Sequence, residues 1–167
     1  SALITNVSSV AAGSNVIATL GTASLLYTDR VYTVTTLPVY LNTLEYVRTA
    51  NGDRGNTSPN YLTLALASDA SVFVVFNGSD NIPGWLDSTW TLRTETVTSS
   101  DGAGDPRKIY SRTYAAGTAI LGGKNAPPNG AGTESNFFVP AAPIYAILTA
   151  PGAGNVSGSS VTVTADP

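Results

Sequence analysis

Apolar residues in this chain alternate with polar ones far more often than they recur at helical spacing. In residues 61–67, Leu62, Leu64 and Leu66 fall on one face, and Tyr61, Thr63, Ala65 and Ala67 on the other. A period of two is the mark of a half-buried strand. Residues 108–114 repeat the pattern, with Ile109, Ser111 and Thr113 opposed to Tyr110, Arg112 and Tyr114. Residues 91–98 alternate with mostly polar side chains, which suits an edge or outer strand. Residues 71–76 differ. Ser-Val-Phe-Val-Val-Phe is β-branched and aromatic with no helix former, and reads as a strand buried on both faces. Asn77-Gly78-Ser79-Asp80-Asn81 then ends it with turn chemistry.

The same reading places two weak strands in residues 1–26, broken at Gly13 and Gly21, and a strand over 27–35 closed by Pro38. Another runs over 44–50 into an Asn51-Gly52 turn. Short strands follow at 118–121 and 136–139. Many short strands joined by Gly-, Pro- and Asn-rich turns predict an all-β chain: an antiparallel β-sandwich, jelly-roll-like, with extra terminal strands. A boundary is expected near Val139. It divides a sandwich module, 1–139, from a linker and two-strand C-terminal extension, 140–167, too short to bury a core alone.

Composition narrows the function. Charged residues are 11% of the chain and the net charge is −3, against about 25% charged residues in an ordinary soluble domain. No basic patch exists to neutralise phosphates, so nucleic acid is not an expected partner. With neither Cys nor His, disulfides, thiolate metal sites and the commonest general base are excluded. No apolar run is long enough for a membrane-spanning helix. The residues after Ser1 carry no leader pattern, so any targeting segment is expected to have been removed already. A surface of Thr, Ser, Asn and Gly suits an extracellular or cell-surface protein that meets hydroxyl-rich partners, or a subunit packed against its own copies.

The candidate chemistry clusters after the apolar strand. Trp85 and Trp90, the only tryptophans, could form a platform on which the C–H face of a sugar stacks, with Asn77, Asp80 and Asn81 bonding its hydroxyls. Equally, Trp85 could plug the end of the core. Asn51, Asp53, Asp80 and Asp87 are oxygen ligands near turns, but they lack a calcium-loop spacing, and turn-capping accounts for them. Asp29-Arg30 and Arg48 suit a structural ion pair or hydrogen-bond network. Glu45, Glu95 and Glu134 fall on strands or loops that nothing in the sequence brings together. No nucleophile elbow or phosphate loop appears. The expectation is a chain that is not an enzyme and uses no cofactor or metal.

Several short pieces, taken together, carry a resemblance over roughly residues 26–139. They are Tyr27, Asp29-Arg30 and Tyr32; Tyr46-Val47-Arg48-Thr49-Ala50-Asn51 with Asp53; the apolar strand 72–76; Pro83-Gly84-Trp85-Leu86; and Tyr110-Ser111-Arg112, Tyr114, Ala116-Gly117, Leu121-Gly122-Gly123 and Asn125. In order and spacing the chain resembles a module of large secreted bacterial proteins, often attached to polysaccharide lyases and glycoside hydrolases. Relatives often carry a His-Asp pair where this chain has Asn77-Gly78-Ser79-Asp80, and an insertion surrounds Lys124-Asn125. Leu148-Thr149-Ala150-Pro151, Gly154, Val156, Gly158 and Val161-Thr162-Val163 resemble the opening of a bacterial immunoglobulin-like module. The resemblance implies a β-sandwich that helps an enzyme hold polysaccharide, within a longer parent protein.

Two functions of different class follow. One is a non-catalytic carbohydrate-binding accessory module with a polysaccharide or glycan as partner. The other is a structural subunit of an extracellular filament or surface layer, a homo-oligomer built by exchanging terminal strands.

Overall fold

The uninterrupted run Ala70–Phe76 forms strand β6, and six of its seven residues are buried. A computed structural model describes residues 1–128 and 135–145 of the chain. Strands β1 (Ile4–Ser9), β5 (Leu62–Leu66) and β9 (Gly117–Leu121) make a three-stranded sheet in the order β1-β5-β9. The other strands are β2 (Val16–Thr19), β3 (Val34–Thr36), β4 (Glu45–Arg48), β7 (Thr91–Ser99), β8 (Arg107–Tyr114) and β10 (Val139–Pro143). With β6 they form a seven-stranded sheet in the order β2-β4-β10-β6-β8-β7-β3. Every strand pairing is antiparallel. The only helical segments among the described residues are short 3-10 turns at Val39–Leu41 and Asn51–Gly55. The all-β sandwich expected from the alternation is the fold observed.

Two apolar clusters explain why β6 does not alternate. Val72, Val74 and Phe76 pack with Leu62, Leu64, Leu66, Ala119 and Leu121 of the smaller sheet. Phe73 and Val75 join Leu20, Leu26, Tyr27, Leu41, Val97, Ile109 and Phe138 on the other face. Successive strand residues point to opposite faces, so a strand between two cores must be apolar at both parities. β5 faces one cluster only, and its burial alternates as its sequence does. The two sheets are also tied by charge. The backbone N–H groups of Leu3 and Ile4 donate to Glu45 Oε2 at 2.9 and 2.7 Å.

Two segments depart from the sequence reading. Residues 27–35 were expected to be a strand, but regular pairing begins only at Val34. Tyr27 is fully buried, and its hydroxyl donates to the Asn136 carbonyl at 2.8 Å. Asp29 accepts from the Asn51 and Gly52 amides at 2.7 and 2.9 Å. The segment is held by side chains reaching inward, while Val31 is 85% exposed. Asn51-Gly52 begins the expected turn, here of the 3-10 kind.

At the other end, the closing strand lies at Val139–Pro143 and runs through the expected boundary. β10 sits between β4 and β6, pairing with β4 through Val139, Pro140 and Ala141, and with β6 through Ala141, Ala142 and Pro143. Proline cannot donate to a ladder. Here Pro140 pairs on the β4 side only and Pro143 on the β6 side only. Residues 129–134 and 146–167, with the expected C-terminal strands, lie outside the described residues.

Phe137 tests the larger core. It is fully buried and its ring meets those of Tyr61, Phe76 and Trp85 at 5.9, 6.4 and 5.6 Å. Phe137→Ala is expected to lower unfolding free energy by about 3–5 kcal/mol. An unchanged denaturant midpoint would contradict the packing described.

Candidate functional site

The loop that follows β6 holds the residues expected to bind carbohydrate. Asn77 is 1% exposed. Its Nδ2 donates to Ser135 Oγ at 3.0 Å, and its Oδ1 accepts from the Ser79 amide and hydroxyl at 2.9 and 2.8 Å. A Cβ on Gly104 would lie 2.2 Å from the Asn77 amide, so this glycine is what admits Asn77 to the interior. Asp80 forms an ion pair with Lys124, whose side chain is wholly buried. Asn81 is exposed. Of the three polar candidates, only Asn81 faces solvent freely.

The tryptophans close the end of the core rather than forming an open platform. Trp90 is 6% exposed. Trp85 is half-buried, and its Nε1 donates to the Gly123 carbonyl at 2.9 Å. A Cβ on Gly122 would sit 2.2 Å from the Trp85 ring, so the indole lies directly on glycine backbone. The two indoles meet edge to face, 5.8 Å apart at 75°. Trp90 also packs on Tyr114 at 6.2 Å. Trp90 is covered in this way almost completely, and Trp85 in part. The packing of Trp85 matches the plug expected for it, with part of the ring still exposed.

The remaining polar candidates act as braces. Asp29 pairs with Arg30 at 3.0 Å. Burial pushes its carboxyl up, but the Asn51 and Gly52 amides and the Arg30 charge together hold it below the usual carboxylate range. Asn51 Oδ1 accepts from the Asn136 amide at 2.9 Å. Asp53 accepts from the Gly13 amide at 3.3 Å and from the Tyr61 hydroxyl at 3.4 Å. Glu95 pairs with Arg93 at 3.8 Å, and Glu45 holds the first strand. Among the described residues, no three acidic groups converge on a point that could hold a metal ion.

A groove lies on the larger sheet, next to the buried tryptophan. Its volume is about 400 Å³, and it is lined by Ser71, Thr89, Thr91, Ser111, Arg112 and Thr113. Register builds it: Ser71 stands opposite Thr113, and Thr91 opposite Ser111. Opposed residues share a face, so the hydroxyls gather on one side of the sheet. The Arg112 guanidinium lies over the Tyr114 ring, 5.1 Å from its centroid. Asp87 accepts from the Thr89 amide and hydroxyl at 2.9 and 2.6 Å. The Thr89 hydroxyl, then its amide, then the charge of Arg112 hold the Asp87 carboxyl below its ordinary range. A groove of hydroxyls can exchange hydrogen bonds with a polyhydroxylated ligand. Alternation in the sequence shows these positions to be polar. It does not show that β6, β7 and β8 are neighbours.

No family of known proteins and no curated protein matches the sequence. Two solved structures share the fold. One is a β-glucuronidase from glycoside hydrolase family 2, with 24% identity and a TM-score of 0.74 over 86% of this chain and 15% of that one. The other is a GH138 enzyme targeting pectin rhamnogalacturonan II, with 11% identity and a TM-score of 0.51 over 81% of this chain and 16% of that one. Both likenesses are of fold. In each case the chain corresponds to a small part of a much longer glycoside hydrolase.

Trp85→Ala is expected to destabilise the protein by about 3–5 kcal/mol as an aromatic truncation in a packed site. A stable Trp85→Ala protein would show the ring to be peripheral.

Proposed function

We propose that the chain is a non-catalytic β-sandwich module of an extracellular glycan-processing protein, and that it contacts polysaccharide through the groove between β6, β8 and the start of β7. The observation that carries this reading is the groove itself: the hydroxyls of Ser71, Thr91, Ser111 and Thr113 gathered on one face of the larger sheet, with Thr89 beside them. Hydroxyl-bearing ligands are recognised by such donors and acceptors at low cost, because strand side chains are already held in place. The β-glucuronidase and the pectin-targeting enzyme support a glycan setting, as do the low charge and the Ser/Thr-rich surface. The groove is favoured over Trp85, Trp90, Asn77 and Asp80 as the contact surface, since Trp90 and Asn77 are buried, Trp85 is half-buried and Asp80 is paired with Lys124.

The filament reading needs a terminal strand free to leave its own sheet. Residues 4–9 instead pair with β5, and Leu3 and Ile4 are 8% and 2% exposed within the chain's own core. The glycan-contact reading is the one this arrangement favours.

The test is retention on a panel of polysaccharide affinity gels. The parent protein is expected to be slowed by at least one polymer. Thr113→Val is expected to weaken that binding about fivefold, the loss of a neutral hydrogen bond of about 1 kcal/mol, without lowering the melting temperature. No retention on any polymer, or full retention by a combined Thr91→Val and Thr113→Val variant, would overturn the proposal.

A further inference from the structure

Lys124 and Asp80 form an unusual pair for a chain with so few charges. The Lys124 side chain is 0% exposed and that of Asp80 8%, with the ammonium and carboxylate in contact. Taking two charges out of water is expensive, and their attraction repays the cost only when both are well hydrogen-bonded. Yet Asp80 Oδ2 accepts no hydrogen bond. The ammonium and that carboxylate oxygen are in contact without hydrogen-bond geometry.

The backbone is held before Asp80 and on both sides of Lys124. Before Asp80, the Asn77 amide is seated on Ser135, and the Gly78 N–H donates to the Gly104 carbonyl at 2.8 Å. Around Lys124, the Gly123 N–H donates to Ser58 at 2.8 Å and the Asn125 N–H to Asn56 at 3.0 Å. The Gly123 carbonyl accepts the Trp85 indole at 2.9 Å. Groups held together in this way react as if at very high concentration.

We propose that Lys124 and Asp80 are joined by an intramolecular amide bond, a covalent cross-link between the loop after β6 and the loop after β9. The ammonium gives a proton to the carboxylate, leaving an amine and a neutral carboxyl. Nζ then forms a bond to Cγ. The bond from Cγ to one carboxyl oxygen breaks, and that oxygen leaves as water with one proton from the acid and one from the amine. Nothing is oxidised or reduced and no co-reactant is needed. The product replaces two buried charges with one neutral amide, which is far cheaper to keep in a low-dielectric interior.

The test is the intact mass of the full chain, folded by circular dichroism and then measured under denaturing conditions. The mass is expected to fall short of the sequence mass by one water, and a digest should yield a branched peptide joining Asp80 to Lys124. Lys124→Arg should restore the full mass expected for its own sequence. A folded protein with the full sequence mass overturns the proposal. So does a water deficit that persists in Lys124→Arg, because a cyclised Asp101-Gly102 would lose the same mass without any cross-link.

Discussion

The backbone of Asn136 and Phe137 runs between two apolar cores, and its polar groups have to find partners there. An unpaired buried peptide group costs about 1–3 kcal/mol, so the surroundings are constrained to supply them. The Asn136 amide donates to Asn51 Oδ1 at 2.9 Å, and the Asn136 carbonyl accepts the Tyr27 hydroxyl at 2.8 Å. The Phe137 carbonyl accepts the Thr49 hydroxyl at 2.5 Å. Asn136 Nδ2 donates to the Ala50 carbonyl at 2.8 Å and to the Tyr61 hydroxyl at 3.2 Å. Phe137 and Phe138 then enter opposite clusters. One short segment thereby fixes the residue 27 loop, the end of β4, the 51–55 turn and both cores. The irregular path of residues 27–33 follows from this requirement, since Tyr27 is needed inside.

Much of this was legible in the sequence wherever a strand meets one core or two. The alternation of β5 and the unbroken run of β6 each name their own environment. The misplaced pieces are those whose partners are remote in sequence. Residues 27–35 alternate like a strand, yet the decisive contact is a hydroxyl reaching Asn136. Pro140 and Pro143 look like a linker because proline interrupts ladders, but β10 is shared between two neighbours and neither proline has to pair on both sides. The motif at residues 46–53 was visible as a motif, although its purpose, to receive residues 136 and 137, needs the fold.

The candidate site was less legible for a related reason. A tryptophan in a turn-rich loop is equally consistent with a stacking surface and with a plug, because sequence carries no information on what covers the ring. Gly122 decides it, by letting the chain lie flat against Trp85. Likewise Asn77 and Asp80 have the side chains of a hydroxyl-binding loop, but Ser135 and Lys124 engage them internally. The groove escapes a linear reading because its lining comes from β6, β8 and the approach to β7.

Charge explains where contact with a partner can occur. The chain has eight Lys and Arg residues, and Arg107 and Lys124 are both 0% exposed. Arg107 pairs with Asp105 at 3.3 Å and Asp101 at 3.6 Å, and donates to Ser135 Oγ at 3.1 Å. Buried pairs of this kind contribute little net stability, but breaking one leaves a costly unpaired charge. They therefore hold the loops around residues 77–80, 101–105 and 124 in one arrangement. Loops pinned from within are poorly suited to adapt to a ligand. A sheet face needs no such adaptation, because its register already sets the spacing of its hydroxyls. The division of labour follows: the loop end of the sandwich carries structural charge and aromatic closure, and the polar sheet face keeps a fixed spacing of hydroxyls.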